Sequence, residues 1–335
     1  MRHPPGLDLD RLATHLGVDS LTAELIAGGR SNLTYLVTDG RSRWVVRRPP
    51  LGHVLPTAHD MAREYRVIGA LAGTPVPVPR LRLLCQDESV LGAPFYVMDE
   101  VPGVVLRTAS DYARLTPELA RRCAEQLVDV LLDLHRIEPA EVGLADFGRP
   151  EGYLARQVAR WHRQWEHSAT RQLPALDAVT ARLRDAMPAG TRHGIVHGDY
   201  RLDNVMYDDG LDHVVAVFDW EMATIGDPLA DVGLLYVYTE LTASGFSAVT
   251  APLDPALGFP SAAALLSRYG DGAGVRLDQL GWYVALGYYK LAVISEGIHA
   301  RYLAGETVGG GFDAIGETVP ALVDFAGAAL DTWER

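Results

Sequence analysis

The chain has 335 residues, of which 48% are hydrophobic and 22% charged, and its formal net charge at pH 7 is −13. A chain of this length can bury a sizeable core in one large or two modest domains. Its negative charge argues against a nucleic-acid-binding protein, because phosphate backbones require clustered basic residues.

The sequence has no segment that we expect to enter a membrane. No run of about eighteen apolar residues occurs, and the first residues, MRHPPGLDLDRL, lack the apolar stretch typical of a signal peptide. Cys85 and Cys123 lack metal-ligand spacing, so we expect buried free thiols in a reducing compartment. We therefore predict a cytoplasmic protein, whose oligomeric state the sequence leaves open.

The first part of the chain predicts one short helix followed mainly by strands. Residues 8–17 predict an amphipathic helix, and residues 21–50 predict a meander of three strands with a glycine turn and an Asp-Gly turn. A helix that begins at Met61 and strands over 80–85 and 94–99 follow.

The later part of the chain predicts mainly helices. One amphipathic helix is predicted over 116–136, two more within 151–187 and another over 312–333. The segment 277–305 is apolar nearly all round, so we expect it to form a buried helix.

Two apolar runs between residues 194 and 221 flank a polar turn, and each run leads to a carboxylate. Asp199 follows the first run after His197-Gly198, and Asp219 ends the second run. Asn204 lies five residues after Asp199. The spacing His-x-Asp-x-x-x-x-Asn, with a strand-ending Asp roughly fifteen residues later, is that of a phosphoryl-transfer catalytic loop.

Phosphoryl transfer explains why these residue types are needed. A carboxylate at Asp199 can accept a hydrogen bond from a substrate hydroxyl and align it with the γ-phosphate. Asn204 and Asp219 offer hard oxygen ligands that suit Mg²⁺. Arg201 can place a permanent cation beside the transferring group, and His197 is expected to brace the loop.

Two other interpretations of the same residues remain open at this point. The stretch can be a plain strand-turn-strand whose acids are only solvated. It can also be a metal hydrolase centre, since His193, His197, Asp199 and Asp219 are suitable ligand types. The hydrolase interpretation gives Asn204 no role.

The stretch IVHGDYRLDN, with Asp219-Trp220-Glu221 after it, resembles the aminoglycoside phosphotransferase and choline kinase group, a kinase-like superfamily. In that group HGD stands where protein kinases have HRD, and Asp-Trp-Glu stands where they have Asp-Phe-Gly. The resemblance covers nearly the whole chain. It implies a bilobal α+β fold: a mainly antiparallel β N-lobe over 1–101, a larger helical C-lobe over 102–335, and ATP and Mg²⁺ between them.

The resemblance also implies roles for residues of the N-lobe. Ser31 and Asn32 lie in the glycine turn that would cover the phosphates. Arg47 ends the third strand where protein kinases carry a phosphate-contacting lysine, with Arg48 as the alternative. Glu64 corresponds to the helix glutamate that would pair with Arg47.

Two further segments have implied roles. The backbone at Glu100 and Val101 would hydrogen-bond adenine in the linker between the lobes. In Asp227-Pro-x-x-Asp231 an acid would brace the catalytic loop through backbone amides.

The substrate is predicted from the charges in the C-lobe. Lys290 is the only lysine among thirty basic residues and lies in the helix that we expect to be buried. Lys290 and Arg301 are candidate substrate contacts, and a packed ion pair is the alternative for Lys290. With Arg156, Arg160 and Arg163 these cations suit an anionic substrate better than an aminoglycoside, which would need acids.

The strings RRPPLGHVLPTAHDMAREY and SNLTY are close to those of kinase-like domains associated with acyl-CoA dehydrogenases. This resemblance implies a hydroxyacyl-CoA or related hydroxy acid as substrate, and a functional link to an acyl-CoA dehydrogenase. An aminoglycoside-type antibiotic phosphotransferase and a nucleotide-binding pseudokinase scaffold are the alternatives. The presence of Asp199, Asn204 and Asp219 argues against the scaffold. The sequence does not decide between ATP and GTP.

Overall fold

The computed structural model describes residues 4–26, 32–51, 60–190, 192–246, 252–306 and 312–333. The chain forms two compact units. The first unit comprises residues 1–103 and 215–223, and the second comprises 104–214 and 224–335.

The first unit is built on a five-stranded antiparallel sheet. Its strands are β1 (Thr22–Leu25), β2 (Leu33–Thr38), β3 (Arg43–Arg48), β4 (Leu81–Cys85) and β5 (Phe95–Asp99), in the order β1-β2-β3-β5-β4. The predicted meander over 21–50 is therefore confirmed for its described residues.

The turn between β2 and β3 follows from its sequence. The carboxylate of Asp39 accepts hydrogen bonds from the backbone N–H groups of Arg41 and Ser42, at 2.8 and 2.7 Å. Gly40 has φ +88°, in the left-handed region that favours glycine. The Asp-Gly pair thus fixes the hairpin.

Within the described residues of this unit, three helices accompany the sheet: α1 (Leu9–Leu16), α2 (Met61–Leu71) and α3 (Glu88–Leu91). Asp8 and Asp60 cap α1 and α2 by accepting backbone N–H groups of the first turn. Successive strand residues face opposite sides, so Val46 joins the core with α1 and α3, whereas Arg47 faces α2.

The second unit is mainly helical. Its helices are α4 (Ala109–Tyr112), α5 (Pro117–Arg136), α6 (Tyr153–Ser168), α7 (Pro174–Asp185), α8 (Leu229–Ala243), α9 (Ala262–Ala273), α10 (Leu280–Leu303) and α11 (Thr318–Trp333). Its short strands are β6 (Val104–Val105), β7 (Gly194–Val196), β8 (Val205–Tyr207) and β10 (Thr224–Gly226); β9 (Val214–Val217) leads into residues 215–223. Strand β6 pairs with β8, and β7 with β10, both antiparallel.

Helix α10 is the centre of the second unit, as its apolar sequence predicts. It packs against α6, α7, α8 and α11, and nearly all of its first seventeen residues are buried. Gly233 of α8 permits a close approach, because a Cβ there would lie 2.6 Å from the backbone carbon of Tyr283. This approach brings α8 and α10 together beside the catalytic-loop candidate.

The structure confirms the predicted α+β class. Cys85 and Cys123 are buried free thiols, as expected. Among the residues described, no helix combines the length and the hydropathy that crossing a bilayer requires.

Candidate active site

The second unit holds the central motif in a turn after β7. Gly198 has φ +85°, a backbone conformation that glycine adopts without strain. A short 3₁₀ helix over Leu202–Asn204 follows and returns Asn204 towards Asp199. The amide Nδ2 of Asn204 donates to the backbone oxygen of Asp199 at 2.9 Å and to its Oδ2 at 3.1 Å.

Asp231 of α8 holds this turn through hydrogen bonds to its backbone. Its carboxylate is fully buried and accepts the backbone N–H groups of His197 at 2.7 Å and Gly198 at 2.8 Å. His135 lies 3.3 Å from the same carboxylate through Nε2. The predicted brace through backbone amides is therefore present.

His197 also braces the loop, as the sequence predicts. Its Nδ1 accepts the backbone N–H of Asp199 at 3.1 Å, and its ring lies edge-on to Tyr200. The imidazole is completely buried, so it supports the turn.

The carboxylate of Asp199 has a donor on each oxygen. The hydroxyl of Tyr238, on α8, donates to Oδ1 at 2.6 Å, and Asn204 donates to Oδ2. Burial alone would raise the pKa of Asp199, but the charges of Arg201 and Lys290 and the Tyr238 hydrogen bond outweigh it. The net pKa is lowered, so the carboxylate is ionised at neutral pH.

Arg201 lies beside this carboxylate but has partners of its own. It forms a two-point ion pair with Asp203, and its guanidinium carbon lies 4.4 Å from the centroid of the Tyr238 ring. The charge of Arg201 thus acts on Asp199 from a fixed position.

The two candidate substrate cations are placed very differently. Lys290 is buried; its Nζ donates to the backbone oxygen of Gly198 and lies 5.5 Å from the centroid of the Trp161 ring. Arg301 is exposed and lies eleven residues later on α10, which corresponds to about 16 Å of helix rise. The structure brings Lys290 to the catalytic-loop candidate and leaves Arg301 away from it.

Arg47 is the centre of a charged cluster in the first unit. Its Nε donates to Glu64 Oε2 at 3.1 Å, and its Nη2 donates to Asp219 Oδ1. Arg48 instead donates to the backbone oxygens of Gly6 and Leu91. Of the two arginines, Arg47 therefore makes the predicted pairing with Glu64.

Burial and charge act against each other at Glu64, whose exposed fraction is only 1%. Burial raises the pKa of Glu64 to about 7, while the charge of Arg47 opposes the rise.

Asp219 has φ 63° and ψ 54°, a left-handed conformation that costs a non-glycine residue roughly 1–2 kcal/mol. Such strain is common where a side chain must point in one direction.

Asn32 is the described end of the predicted phosphate-covering turn; Ser31 lies outside the described residues. The side-chain NH₂ of Asn32 donates to Glu221 Oε2 at 2.9 Å. Its Oδ1 is buried and has no hydrogen-bond donor among the described residues. The side chain therefore connects the turn to the 219–221 segment.

Glu100 and Val101 follow β5. The Glu100 carboxylate pairs with Arg43, and its backbone N–H donates to Arg43 O at 3.3 Å. The Glu100 side chain and backbone N–H are thus both engaged at the end of the sheet, and the contact of this segment with adenine stays a prediction.

The structure argues against the hydrolase interpretation. His193 is exposed, whereas His197 is buried with Nδ1 engaged by Asp199. Within the described ranges, no group of three or more His, Cys, Asp and Glu side chains is arranged to hold a metal ion.

Sequence reasoning missed three residues of these clusters: Tyr238, Asp203 and Glu221. Asp203 carried a local signal, because it lies two residues after Arg201 and pairs with it. Tyr238 carried none, since its contact with Asp199 depends on how α8 packs.

Residues 22–268 match the phosphotransferase enzyme family. The chain is 36% identical over 296 residues to acyl-CoA dehydrogenase family member 11 of Gallus gallus; the match covers 85% of this chain and 37% of that protein. The chain spans 28% to 39% of the length of the acyl-CoA dehydrogenase family members 10 and 11 that it matches.

Solved structures share the fold. A Ralstonia eutropha structure, solved as a candidate aminoglycoside phosphotransferase, has a TM-score of 0.81 and 30% identity and covers 96% of this chain and 98% of that one. A ternary complex of a thermostable mutant of the aminoglycoside phosphotransferase APH(4)-Ia with ADP and hygromycin B has a TM-score of 0.67 and 14% identity, covering 96% and 97%. These likenesses confirm the predicted kinase-like fold.

Proposed function

The chain belongs to the phosphotransferase enzyme family, and on that premise we propose that it is a small-molecule kinase. It transfers the γ-phosphate of ATP, taken as the Mg²⁺ complex, to a substrate hydroxyl. The observation that carries this proposal is the Asp199 carboxylate, held by Tyr238 and Asn204 and kept ionised. An ionised carboxylate of fixed direction is what an acceptor hydroxyl needs for alignment.

Asp199 accepts a hydrogen bond from the acceptor hydroxyl and directs its oxygen at the γ-phosphorus. The hydroxyl oxygen forms the new bond to phosphorus, and the bond from phosphorus to the β–γ bridging oxygen breaks with its electron pair on ADP. The hydroxyl proton passes to Asp199. Arg201 remains cationic beside Asp199, and its charge keeps that carboxylate ionised until the proton arrives.

The residues present fit a magnesium–nucleotide complex. Arg47, held by Glu64, would contact phosphate oxygens. Asn204 directs its NH₂ towards Asp199, so its amide oxygen points away from that carboxylate. This oxygen and the Asp219 carboxylate would offer the hard donors that Mg²⁺ prefers. Bound Mg²⁺ supplies neutralisation of phosphate charge.

The remaining nucleotide contacts belong to the same proposal. Ser31 and Asn32 would contact phosphate through backbone amides and side chains; the Asn32 NH₂ has two N–H donors, and its bond to Glu221 uses one. Backbone groups at Glu100 and Val101 would hydrogen-bond adenine. The functional division into residues 1–101 and 102–335, and a cytoplasmic location, remain predictions.

The proposed substrate is a hydroxyacyl-CoA or a related hydroxy acid. Support comes from the names of the relatives and from the cations Arg201 and Lys290, whose charges act on Asp199. A functional link to an acyl-CoA dehydrogenase is part of this proposal. Arg156 gives it little support, because its guanidinium donates to the backbone oxygens of Arg149 and Glu151.

An aminoglycoside phosphotransferase is the second candidate, favoured by the likeness to structures of such enzymes. A polycationic substrate would need further carboxylates beside Asp199 to pair with its charges. The neighbouring charges that lower the pKa of Asp199 are instead those of cations.

The test is an ADP-release assay with Mg²⁺ and ATP on two acceptor panels, hydroxyacyl-CoAs and aminoglycosides, with Asp199→Asn as the control. We expect turnover with the first panel and its loss in the variant. Turnover with the second panel alone would replace the substrate proposal and keep the kinase. Release of ADP that is the same in Asp199→Asn would contradict the catalytic assignment.

A further inference from the structure

We infer that Tyr238 and Lys290 together form a positioning clamp that fixes the catalytic loop around Asp199. Tyr238 holds the carboxylate from α8, and Lys290 holds the preceding peptide from α10. Neither residue is placed to hold phosphate or a metal in the proposed function, on which this inference rests. Their role is to set the direction of the Asp199 side chain.

Tyr238 fixes the carboxylate end of Asp199. Its hydroxyl donates to Oδ1 at 2.6 Å while Asn204 donates to Oδ2, so rotation of the carboxylate would break two hydrogen bonds. Burial, and then the charge of Asp199, raise the pKa of the phenol well above its usual value. Tyr238 therefore remains a donor at any working pH.

The Tyr238 ring is itself held in place. Only 5% of the residue is exposed, and Arg201 covers one face of the ring at 4.4 Å. A guanidinium stacked on an aromatic ring stabilises both groups where water is excluded. The phenol and the cation beside Asp199 thus form one rigid assembly.

Lys290 fixes the backbone end of the same residue. Its ammonium donates to the oxygen of Gly198, while the N–H on the other side of that peptide, from Asp199, donates to His197 Nδ1 at 3.1 Å. The peptide between Gly198 and Asp199 is therefore held at both polar atoms. The φ of +85° at Gly198 makes this support necessary, because glycine can leave that conformation easily.

The choice of lysine follows from the surroundings of its ammonium. Every other basic residue among the thirty Lys and Arg is arginine, yet position 290 is lysine. The ammonium lies 5.5 Å from the Trp161 ring centroid on a buried helix face. A compact ammonium has three N–H donors on one nitrogen, whereas a planar guanidinium has five donors spread over three nitrogens to satisfy.

The clamp leaves room for an acceptor hydroxyl. A carboxylate offers about four lone-pair positions, and Tyr238 and Asn204 occupy two of them. The acceptor can therefore bind while both stay in place. Loss of one clamp contact lets Asp199 move, and a shift of about 1 Å costs roughly a hundredfold in rate.

The first experiment compares Tyr238→Phe with Tyr236→Phe, a matched control two residues away on α8. Activity is ADP release with whichever acceptor the wild type uses. We expect kcat to fall roughly 10- to 100-fold in Tyr238→Phe, with the KM for Mg·ATP and the unfolding midpoint unchanged and the control at wild-type values. An unchanged kcat, or an equal loss in the control, overturns the role of Tyr238.

The second experiment compares Lys290→Arg with Lys290→Met. Arginine keeps the charge but not the compact geometry of the ammonium, so we expect both variants to lose kcat by a similar factor at unchanged Mg·ATP affinity. Full activity in Lys290→Arg overturns the clamp at this position, because charge alone would then suffice.

A third measurement needs no activity. Protein made with ¹³C-lysine gives signals from Lys290 alone. We expect its ε-protons to be shifted upfield by the Trp161 ring, and to move in Tyr238→Phe but not in Tyr236→Phe. Signals at the free-lysine position, or signals that ignore Tyr238→Phe, overturn the clamp. A wild type that phosphorylates no acceptor contradicts the proposed function instead, while the lysine signal still decides the clamp.

Discussion

Arg47 in the first unit and Asp199 in the second are both largely buried charges, but their partners differ in kind. Arg47 is paired with Glu64 and with Asp219, a residue that the proposed function needs for Mg²⁺. Asp199 is held by Tyr238 and by His197, to which the proposed function assigns no ligand.

This difference indicates which contacts we expect to change when nucleotide binds. In the proposed function, the ion pair of Arg47 and Asp219 joins a cation assigned to phosphate to a carboxylate assigned to Mg²⁺, so each would occupy the place of the other's ligand. We expect that pair to open on binding. The contacts of Asp199 have no such competitor, and we expect them to persist.

We expect the largest loss of folding stability at Asp231, which holds the backbone of the loop around Asp199. Asp231→Asn removes a buried carboxylate that accepts two backbone amides and faces His135. We expect a loss of about 3 kcal/mol in the free energy of unfolding, measured with urea at pH 7. Asp129→Asn, which breaks an exposed pair with Arg268, is the control and should lose about 0–1 kcal/mol.

The stability difference between the wild type and Asp231→Asn should change with pH in a defined direction. Burial would raise the pKa of Asp231, but the hydrogen bond and charge of His135, the charge of His197 and the Gly198 amide bring it below its usual value. A lowered pKa gives stability that is present above the unfolded value, about 3.9, and is lost as the pH falls through the folded value. The gap between wild type and Asp231→Asn should therefore narrow only below about pH 4; a gap that narrows above pH 5 contradicts this account.

The next effect distinguishes the two adjacent arginines of β3. Arg48→Lys loses contacts to the backbone oxygens of Gly6 and Leu91, and we expect about 1–2 kcal/mol less stability with normal nucleotide affinity. Arg47→Lys loses the fork that joins Glu64 to Asp219, and we expect nucleotide affinity to fall about tenfold. Calorimetric titration with ADP and Mg²⁺, together with urea unfolding, checks both. The reverse pattern would assign the phosphate contact to Arg48.

An effect of similar size is expected for the ion pair of Arg47 and Asp219 itself. Asp219→Asn removes the carboxylate that competes for Arg47, so ADP should bind roughly tenfold more tightly without Mg²⁺, about 1.4 kcal/mol. The increase in ADP affinity that Mg²⁺ gives the wild type should disappear in this variant. Asp99→Asn, in an exposed pair with Arg82, is the control. Weaker Mg²⁺-free binding in Asp219→Asn would show that the pair does not compete with nucleotide.

Local spacing was sufficient to predict much of the site. The contact of Asn204 with Asp199 spans five residues, and strand alternation directs Arg47 to the face where α2 carries Glu64. The bracing role of Asp231 followed from the family resemblance. These features depend on single elements or on a fixed motif.

The rest depended on packing that no local pattern contains. Lys290 is 92 residues from the Gly198 oxygen that it holds, and Tyr238 is 39 residues from Asp199. The contacts depend on how α8 and α10 each pack beside the loop, and Gly233 permits the close approach of the two helices. The sequence singled out Lys290 as unusual and left a substrate contact and a packed ion pair open, whereas the structure shows its ammonium on the loop backbone.

The central claim is that Asp199 serves catalysis and not the binding of nucleotide. The most direct measurement is calorimetric titration of wild type and Asp199→Asn with ADP and Mg²⁺, paired with turnover of each protein on the same acceptor. We predict affinities that agree within about threefold, while turnover falls at least roughly a hundredfold in the variant. Equal turnover in the two proteins, or no nucleotide binding by the wild type, would contradict the account.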